Sequence, residues 1–375
     1  MPRRRRRFRR RTTASGLLSA AALLAAAYFF STRPPTGAAT QTAQSTPPNT
    51  PQTSAPASTR TSSPTADSST SAPTTPSASD DVLRIGAWNI EWLGKPALRS
   101  GPASNVAQSP EDLADVIRFA NVDVLGLAEV VTTQRGTPIR SPEIEAVIDV
   151  LNAGAPARWR YVLFPGRATG DQLTGVMWNT SRVRALAPDG TPWDERTHRP
   201  WALPIDGTRR SAQNSALWNR PPHAMKFSAG PGRSDFVLVM VHMKADYQGQ
   251  FAAHRGEEAR ALVEALPDTR RVFGDQDVVV IGDFNITSEV EPADETLTAA
   301  QFAGLNPGRV STTWRGGTTD RAFVPIKQPE FASRAFESVN PAFQRSRGID
   351  AREFKRRYSD HDLIVTELRV AQDDD

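Results

Sequence analysis

From Val82 onward the chain alternates short apolar runs with amphipathic ones. "VLRIGAWNI", "VDVLGLAEV", "RYVLFP", "LTGVMWN", "HAMKF", "DFVLVMVHM", "DVVVIGDFN", "RAFVP" and "DLIVTELRV" are short, rich in β-branched and aromatic residues, and read as strands. Between them lie segments with helical spacing. In "SPEDLADVIRFA", Ser109 is placed to cap the first turn and Pro110 to occupy the first helical position. Asp112 closes a capping box, and Leu113, Val116, Ile117 and Ala120 share one face. "SPEIEAVIDVLNAG" repeats the Ser-Pro start and stops at Gly154, and "QFAAHRGEEARALVEAL" is a third helix. The alternation predicts a mixed α/β domain with a substantial sheet.

Ahead of this domain the pattern changes twice. Eight Arg precede 21 uncharged residues, Thr12 to Thr32. As a helix, such a stretch spans roughly 30 Å, about one hydrocarbon core. It reads either as a cleaved signal peptide or as an uncleaved anchor. No small-x-small cleavage site follows Phe30, and Tyr28, Phe29 and Phe30 suit a membrane interface, which favours the anchor. The Arg run then stays cytoplasmic and the rest of the chain lies outside. From Ser31 to Asp80, 33 of 50 residues are Ser, Thr or Pro, with no apolar side chain larger than Ala. Such a segment cannot bury enough surface to fold and is expected to be an extended, disordered tether. The organisation expected is therefore 1–32 as an Arg-rich signal or anchor segment, 33–80 as a linker, and 81–371 as the catalytic domain. Extracytoplasmic placement follows, either secreted or anchored by a single pass.

Charge and cysteine content narrow the chemistry. The chain has no Cys, so thiolate metal sites and Cys nucleophiles are excluded. The formal charge of +4 comes from the N-terminus, where residues 1–80 hold ten Arg against Asp67 and Asp80. The folded part is net acidic, and no global basic surface can be claimed for it.

Several predicted strands run directly into carboxylates, amides or imidazoles. Asn89 and Glu91 follow "RIGAW", Glu129 ends "DVLGLA", His242 ends "FVLVMV", and Asp283 and Asn285 end "VVVIG". A Glu after one strand is usually where a chain meets water. Four endings of one chemical type point instead to a site at the edge of a sheet. Oxygen donors without Cys suit Mg²⁺, Mn²⁺ or Ca²⁺ better than zinc, and His supplies proton transfer near neutral pH. The chemistry indicated is metal-assisted hydrolysis of a phosphate ester.

The segments "WNIEWL", "DVLGLAEV", "GVMWN", "VHMKA", "IGDFN", "TTDRAFV" and "SDHDLIV" together resemble the endonuclease/exonuclease/phosphatase superfamily, in its order and over most of 82–370. The resemblance implies a four-layer sandwich of two β-sheets flanked by helices. It implies a metal set of Glu129, Asn89 and Asp360, with Glu91 as a second acidic contact found in some members. Asp283 is implied as the group activating water, Asn285 as a phosphate-binding amide, and His242 as a candidate general acid. Asp320 is implied as the partner of His361, which contacts the scissile phosphate. Arg220 in "NRPPHAMKF" resembles a substrate-phosphate contact. Two positions depart from the pattern. Gln172 stands where nuclease members place a glutamate supporting the mid-domain histidine, and Arg321 follows Asp320 where an aromatic or His is common. His198, His223 and His254 match no motif and are read as surface or structural residues.

Substrate class is argued from local features. "VHMKADYQGQFAAHRGEEARAL" resembles bacterial secreted nucleases, with Lys244, Arg255, Glu258 and Ala259 carrying the likeness. "RSRGIDAREFKRRYSDH" puts six basic residues just before the His361 segment, either as a polyanion-binding patch or as a solvated loop or helix. The expectation is a monomeric nuclease using Mg²⁺ (or Mn²⁺ or Ca²⁺), acting on DNA ahead of RNA. A sphingomyelinase-type phospholipid phosphodiesterase or another phosphatase on the same fold is the alternative, and an inactive surface-binding protein a more distant one.

Overall fold

The computed structural model describes residues 81–373, apart from 135, 154–157, 168–170, 206–209, 212–216, 246–248, 289, 307–308 and 372. The signal or anchor segment and the linker expected over 1–80 lie outside these residues. Among the described residues, no helix is long and apolar enough to cross a membrane.

Among the described residues, fifteen strands and six α-helices follow one another. β1 is Val82–Leu93, α1 Pro110–Ala120, β2 Val124–Val130, α2 Pro142–Asn152, β3 Trp159–Leu163 and β4 Leu173–Asn179. β5 (Arg184–Leu186), β6 (Trp201–Ala202), β7 (Pro204–Ile205) and β8 (Arg210–Ser211) are short. β9 is His223–Ser228, β10 Asp235–His242, α3 Ala252–Phe273, β11 Val278–Asp283 and α4 Pro292–Ala299. The chain closes with β12 (Phe302–Leu305), β13 (Asp320–Pro325), β14 (Phe336–Ser338), α5 (Asn340–Arg347), α6 (Ala351–Arg357) and β15 (Ile364–Arg369). One sheet has the order β14-β15-β1-β2-β4-β3. The other has the order β12-β13-β11-β10-β9-β5, with β6 also on β9, and β7 pairs β8 separately.

Alternation along the strands sorts the apolar side chains into three layers. On β10, Phe236, Leu238 and Met240 face the other sheet, where they meet Ile85 and Ala87 of β1 and Val124 of β2. Val237, Val239 and Val241 face the opposite way, against Ala259, Leu262 and Ala265 of α3 and Leu297 of α4. On the far side, Trp88, Leu125 and Leu127 pack under Val116 and Ile117 of α1, Val147 of α2, Phe343 of α5 and Phe354 of α6. Helices, sheet, sheet and helices thus make the expected sandwich of two β-sheets flanked by helices.

The helix starts follow their caps. Ser109 Oγ accepts from the Asp112 amide (3.3 Å) and Ser141 Oγ from the Ile144 amide (3.4 Å), each with Pro in the first turn. The Asp112 carboxylate does not complete a capping box, because Arg357 takes both of its oxygens. Helix α3 continues past the expected Leu266 to Phe273.

β1 and β2 run parallel and are joined through α1, and β10 and β11 run parallel and are joined through α3. The C-terminal ends of these four strands meet at one edge of the space between the sheets. This is where parallel strands leave room for a ligand.

Candidate active site

The pleat aims three side chains of the second sheet at one point. His242, Asp283 and Asp320 are direct cross-strand neighbours: His242 opposes Asp283, and Asp283 opposes Asp320. Each continues the inward-facing series of its strand (Phe236, Leu238, Met240; Val279, Ile281; Ala322, Val324). Gly282 lies between, with φ +141°. Any Cβ there would strike the Val241 carbonyl, so the strand end is built around a glycine.

The first sheet supplies Asn89 and Glu129 from the other side of the gap. Asn89 continues the inward series Leu83, Ile85, Ala87. Alternation alone would turn Glu129 outward with Leu125 and Leu127. Instead Glu129 takes a left-handed φ of +63°, and the pairing of β2 with both its neighbours shifts register there. This bulge brings the carboxylate inward, where Asn89 Nδ2 donates to Glu129 Oε1 (3.1 Å) and the Trp92 amide to Oε2 (3.2 Å). Glu91, Trp92 and Asn285 also hold positive φ, so strained backbone gathers at the site.

Asn89 Nδ2 also donates to Asp283 Oδ2 (3.0 Å), tying the two sheets together. The Asn285 amide donates to Asp283 Oδ1 (2.9 Å), while Asn285 Nδ2 donates to the Met243 carbonyl (3.2 Å). His361 Nδ1 meets Asp320 Oδ2 at 2.8 Å, and its Nε2 lies 3.9 Å from Asp283 Oδ2 and 4.0 Å from Asp360 Oδ1. Ser359 has a structural role, with Oγ donating to the Asn89 carbonyl (2.6 Å) and accepting from the His361 amide (3.1 Å).

The surroundings of the two histidines push their pKa values in opposite directions. Burial holds the His242 ring well below its ordinary pKa, and Arg220 and His361 add to the effect. Its Nε2 faces Glu129 (3.7 Å) and Asp283 (3.6 Å), and its buried Nδ1 makes no hydrogen bond among the described residues. Burial would lower His361 as well, but Asp320, Asp283 and Asp360 outweigh it and raise the ring well above its usual range. The expectation that His242 supplies a proton is therefore revised: the protonated imidazole is His361.

Two further expectations change. Both oxygens of Glu91 are committed to buried cations, Oε2 to Arg99 (3.0 Å) and Oε1 to Lys355 Nζ, and the Ser100 amide adds a bond to Oε1 (3.2 Å). The structure thus places Glu91 in an internal ion cluster rather than in reach of a metal. Arg220 is half-buried and donates three of its N–H groups, to the His242 carbonyl (3.1 Å), the Met243 carbonyl (2.5 Å) and Gln172 Oε1 (3.0 Å). These bonds make it a brace for the end of β10, a role its sequence motif did not announce. Gln172, at the position of the missing glutamate, accepts from Arg220. Arg321 points to the other face of β13 and pairs with Asp294 (2.9 Å), so it does not enter the site.

Of the six basic residues expected beside the site, four are taken by carboxylates. Arg347 pairs with Asp115, Arg356 with Glu353, Arg357 with Asp112, and Lys355 with Glu91 and Asp360. The basic patch is mostly neutralised. His198, His223 and His254 bond locally, to the Asp194 amide, the Pro221 carbonyl and the Leu217 carbonyl, as structural residues do.

Asp283, Asp320 and His361 each offer a donor atom within 4.8 Å of the others. A protonated His361 with Nδ1 on Asp320 is a poor metal ligand, since ligation needs the neutral ring. Glu129 fits better. Burial pushes its carboxyl up to about 7 against the pull of His361, and the like charges of Asp360 and Asp283 push the same way. Excess negative charge on oxygen donors is what a hard divalent cation relieves.

Comparison with known proteins identifies the family and the fold. Residues 86–361 match the model of the Endonuclease/Exonuclease/phosphatase family. No curated protein matches the chain. Among solved structures, an endonuclease/exonuclease/phosphatase from Beutenbergia cavernae is similar in fold at 17% identity and a TM-score of 0.52, covering 78% of this chain and 72% of that one. The human Nocturnin catalytic domain with bound sulfate is similar at 14% identity and a TM-score of 0.49, covering 77% and 95%. The mannosyl-6-phosphatase Bt3783 of Bacteroides thetaiotaomicron is similar at 12% identity and a TM-score of 0.48, covering 77% and 99%.

Proposed function

We propose, on the premise that the chain belongs to the endonuclease/exonuclease/phosphatase family, that it is a divalent-metal-dependent phosphodiesterase hydrolysing nucleic acid. The family is one of hydrolases acting on phosphoester bonds with divalent metals. Glu129, with Asn89 and Asp360, would hold the ion, which supplies Lewis-acid stabilisation of negative charge on the phosphate oxygens. Asp283 takes the proton of the attacking water, held in orientation by Asn89 Nδ2 and the Asn285 amide. His361, kept charged and aligned by Asp320, binds the phosphate and hands a proton to the leaving oxygen. His242, neutral and buried, positions Glu129 and Asp283 across the gap.

The observation that supports nucleic acid is Lys244, two residues beyond His242. Its amide is held by Glu258 (2.8 Å) and its carbonyl by Arg255 (3.3 Å). Its half-buried ammonium lies 4.6 Å from the centroid of the Phe251 ring. A cation over an aromatic ring suits a strand whose phosphates need charge and whose bases stack. Replacing Lys244 with Met is expected to raise KM for DNA and reduce the slope of log affinity against log salt by about one. An unchanged slope, measured by fluorescence anisotropy, would remove Lys244 from the substrate path.

The substrate class is tested by a panel. The full chain is incubated with plasmid DNA, RNA, sphingomyelin and inositol phosphates, with Mg²⁺ and with chelator. Cleavage of DNA with Mg²⁺, abolished by chelator, is expected. Release of phosphocholine without cleavage of nucleic acid would sink the nuclease reading. Export is part of the same proposal, with Thr12–Thr32 as an anchor. Mass spectrometry of the mature N-terminus checks it, and a start near residue 40 would reject the anchor.

A further inference from the structure

We propose that the outer edge of β3 is a binding site for a neutral oligosaccharide, away from the active site and independent of the phosphodiesterase reading. β3 is the last strand of its sheet and pairs with β4 alone among the described residues. Trp178 pairs with Val124 at the start of β2, so it stands at the end of the sheet opposite Glu129. Two cavities adjoin along this edge, of about 220 and 180 Å³, each on the scale of a single sugar ring. Trp193 and Glu195 line both. Arg140, just ahead of α2, pairs with Glu195 (2.5 Å) and lies over the Tyr161 ring, 5.8 Å from its centroid.

Several polar groups along this edge are unused. The Phe164 amide donates to the Thr174 carbonyl, which fixes the phase of the β3–β4 ladder. Alternation then turns the N–H and C=O of Tyr161 and Leu163 away from β4, and among the described residues no hydrogen bond meets them. Trp159 shows the contrast, since Asn152 takes both its amide (2.9 Å) and its carbonyl (3.3 Å). Trp193 is more than nine-tenths buried, and its indole N–H has no partner among the described residues. Asp149 and Arg160 line the first cavity, again with no hydrogen bond or ion pair among the described residues.

The lining selects the class of ligand. Trp159, Tyr161, Trp178 and Trp193 offer apolar ring faces with polar edges. Glu145, Asp149 and Glu195 outnumber Arg140 and Arg160 by one, so a polyanion such as a nucleic-acid strand is disfavoured. The same charged groups are a poor lining for a lipid tail. A sugar ring meets both demands. Its C–H faces lie on aromatic rings, and its hydroxyls donate and accept, matching carboxylate, guanidinium and unpaired main-chain groups. Tyr161 and Leu163 line the cavities yet are only 7% and 3% exposed, so a ligand reaches them as rings seated in the cavities rather than as a strand added from outside.

Calorimetric titration of the full chain with cellotetraose, chitotetraose and mannotetraose tests the site. At least one is expected to bind with a Kd of about 1 mM or tighter. Trp159→Ala and Asp149→Ala are each expected to weaken that binding about tenfold or more, with circular dichroism and the rate of phosphoester hydrolysis unchanged. Absence of binding by all three sugars would overturn the proposal, as would binding that either folded variant leaves intact. If Trp159→Ala does not fold, the exposed Asp149→Ala decides. An alternating Val-Lys octapeptide is the counter-probe. Its binding, with protection of the Tyr161 and Leu163 amides from hydrogen exchange and no response to any sugar, would assign the edge to a peptide and overturn the sugar class.

Discussion

Asp283→Asn is expected to lower the rate of nucleic-acid hydrolysis by at least about two orders of magnitude, the usual share of a positioned acid–base group, while the domain stays folded. Asp283 is the meeting point of the site. It accepts from Asn89 and Asn285, stands opposite His242 and Asp320 on the neighbouring strands, and lies 3.9 Å from His361. An asparagine keeps the size and can still accept from the Asn285 amide. It cannot take a proton from water, and its NH₂ group would face that of Asn89. The ladder pairing of β11 with β10 and β13 is backbone and does not depend on this side chain. Steady-state rates with Mg²⁺, alongside circular dichroism, check the result. Activity within about tenfold of wild type would mean that Asp283 is not the base.

Glu91→Gln is expected to act on stability, by about 3 kcal/mol. The carboxylate is buried between Arg99 and Lys355, neither of which reaches solvent. Removing its charge leaves two buried cations facing an amide, the costly way to break an internal ion pair. Asp360 near Lys355 and the four carbonyls around Arg99 soften the loss, which sets the figure at the lower end of the usual range. Urea unfolding should show a lower midpoint at unchanged slope. An effect below about 1 kcal/mol would mean that the cluster is solvated. The exposed pair Arg196–Asp194 serves as control, and its loss should leave the midpoint where it is.

Much of the site could be read from strand ends. Asn89, His242, Asp283 and Asp320 continue the inward alternation of their strands, so period-two patterning places them on one face and the sandwich brings the faces together. Glu129 is different. Simple alternation puts it on the wrong face, and only the bulge at its positive φ returns it. Nothing in "VLGLAEV" announces that irregularity. Its place at a strand end and the family pattern pointed to its role, not the alternation.

The ion clusters were less legible, because partners far apart in sequence decide them. Glu91 looked available for metal until Lys355, 264 residues later, closed on it. The run "RSRGIDAREFKRRYSDH" looked like a basic surface because its neutralising acids, Asp112 and Asp115, sit on a helix more than 200 residues upstream. A weak signal for Lys355 was present. It follows the buried Phe354 and precedes the buried Tyr358 by three, so helical spacing turns it toward the core rather than outward. A lysine on the apolar side of a helix requires an internal partner, and that requirement could have been read before the partner was known.

Direct attack on phosphorus by a water that Asp283 activates is the proposed step. It is tested by cutting a stereospecific phosphorothioate oligonucleotide in ¹⁸O-labelled water with Mg²⁺ and reading the configuration of the product. Inversion at phosphorus is expected from a single in-line attack. Retention, which requires a covalent phosphoryl-enzyme, or failure to cleave at all would contradict the account.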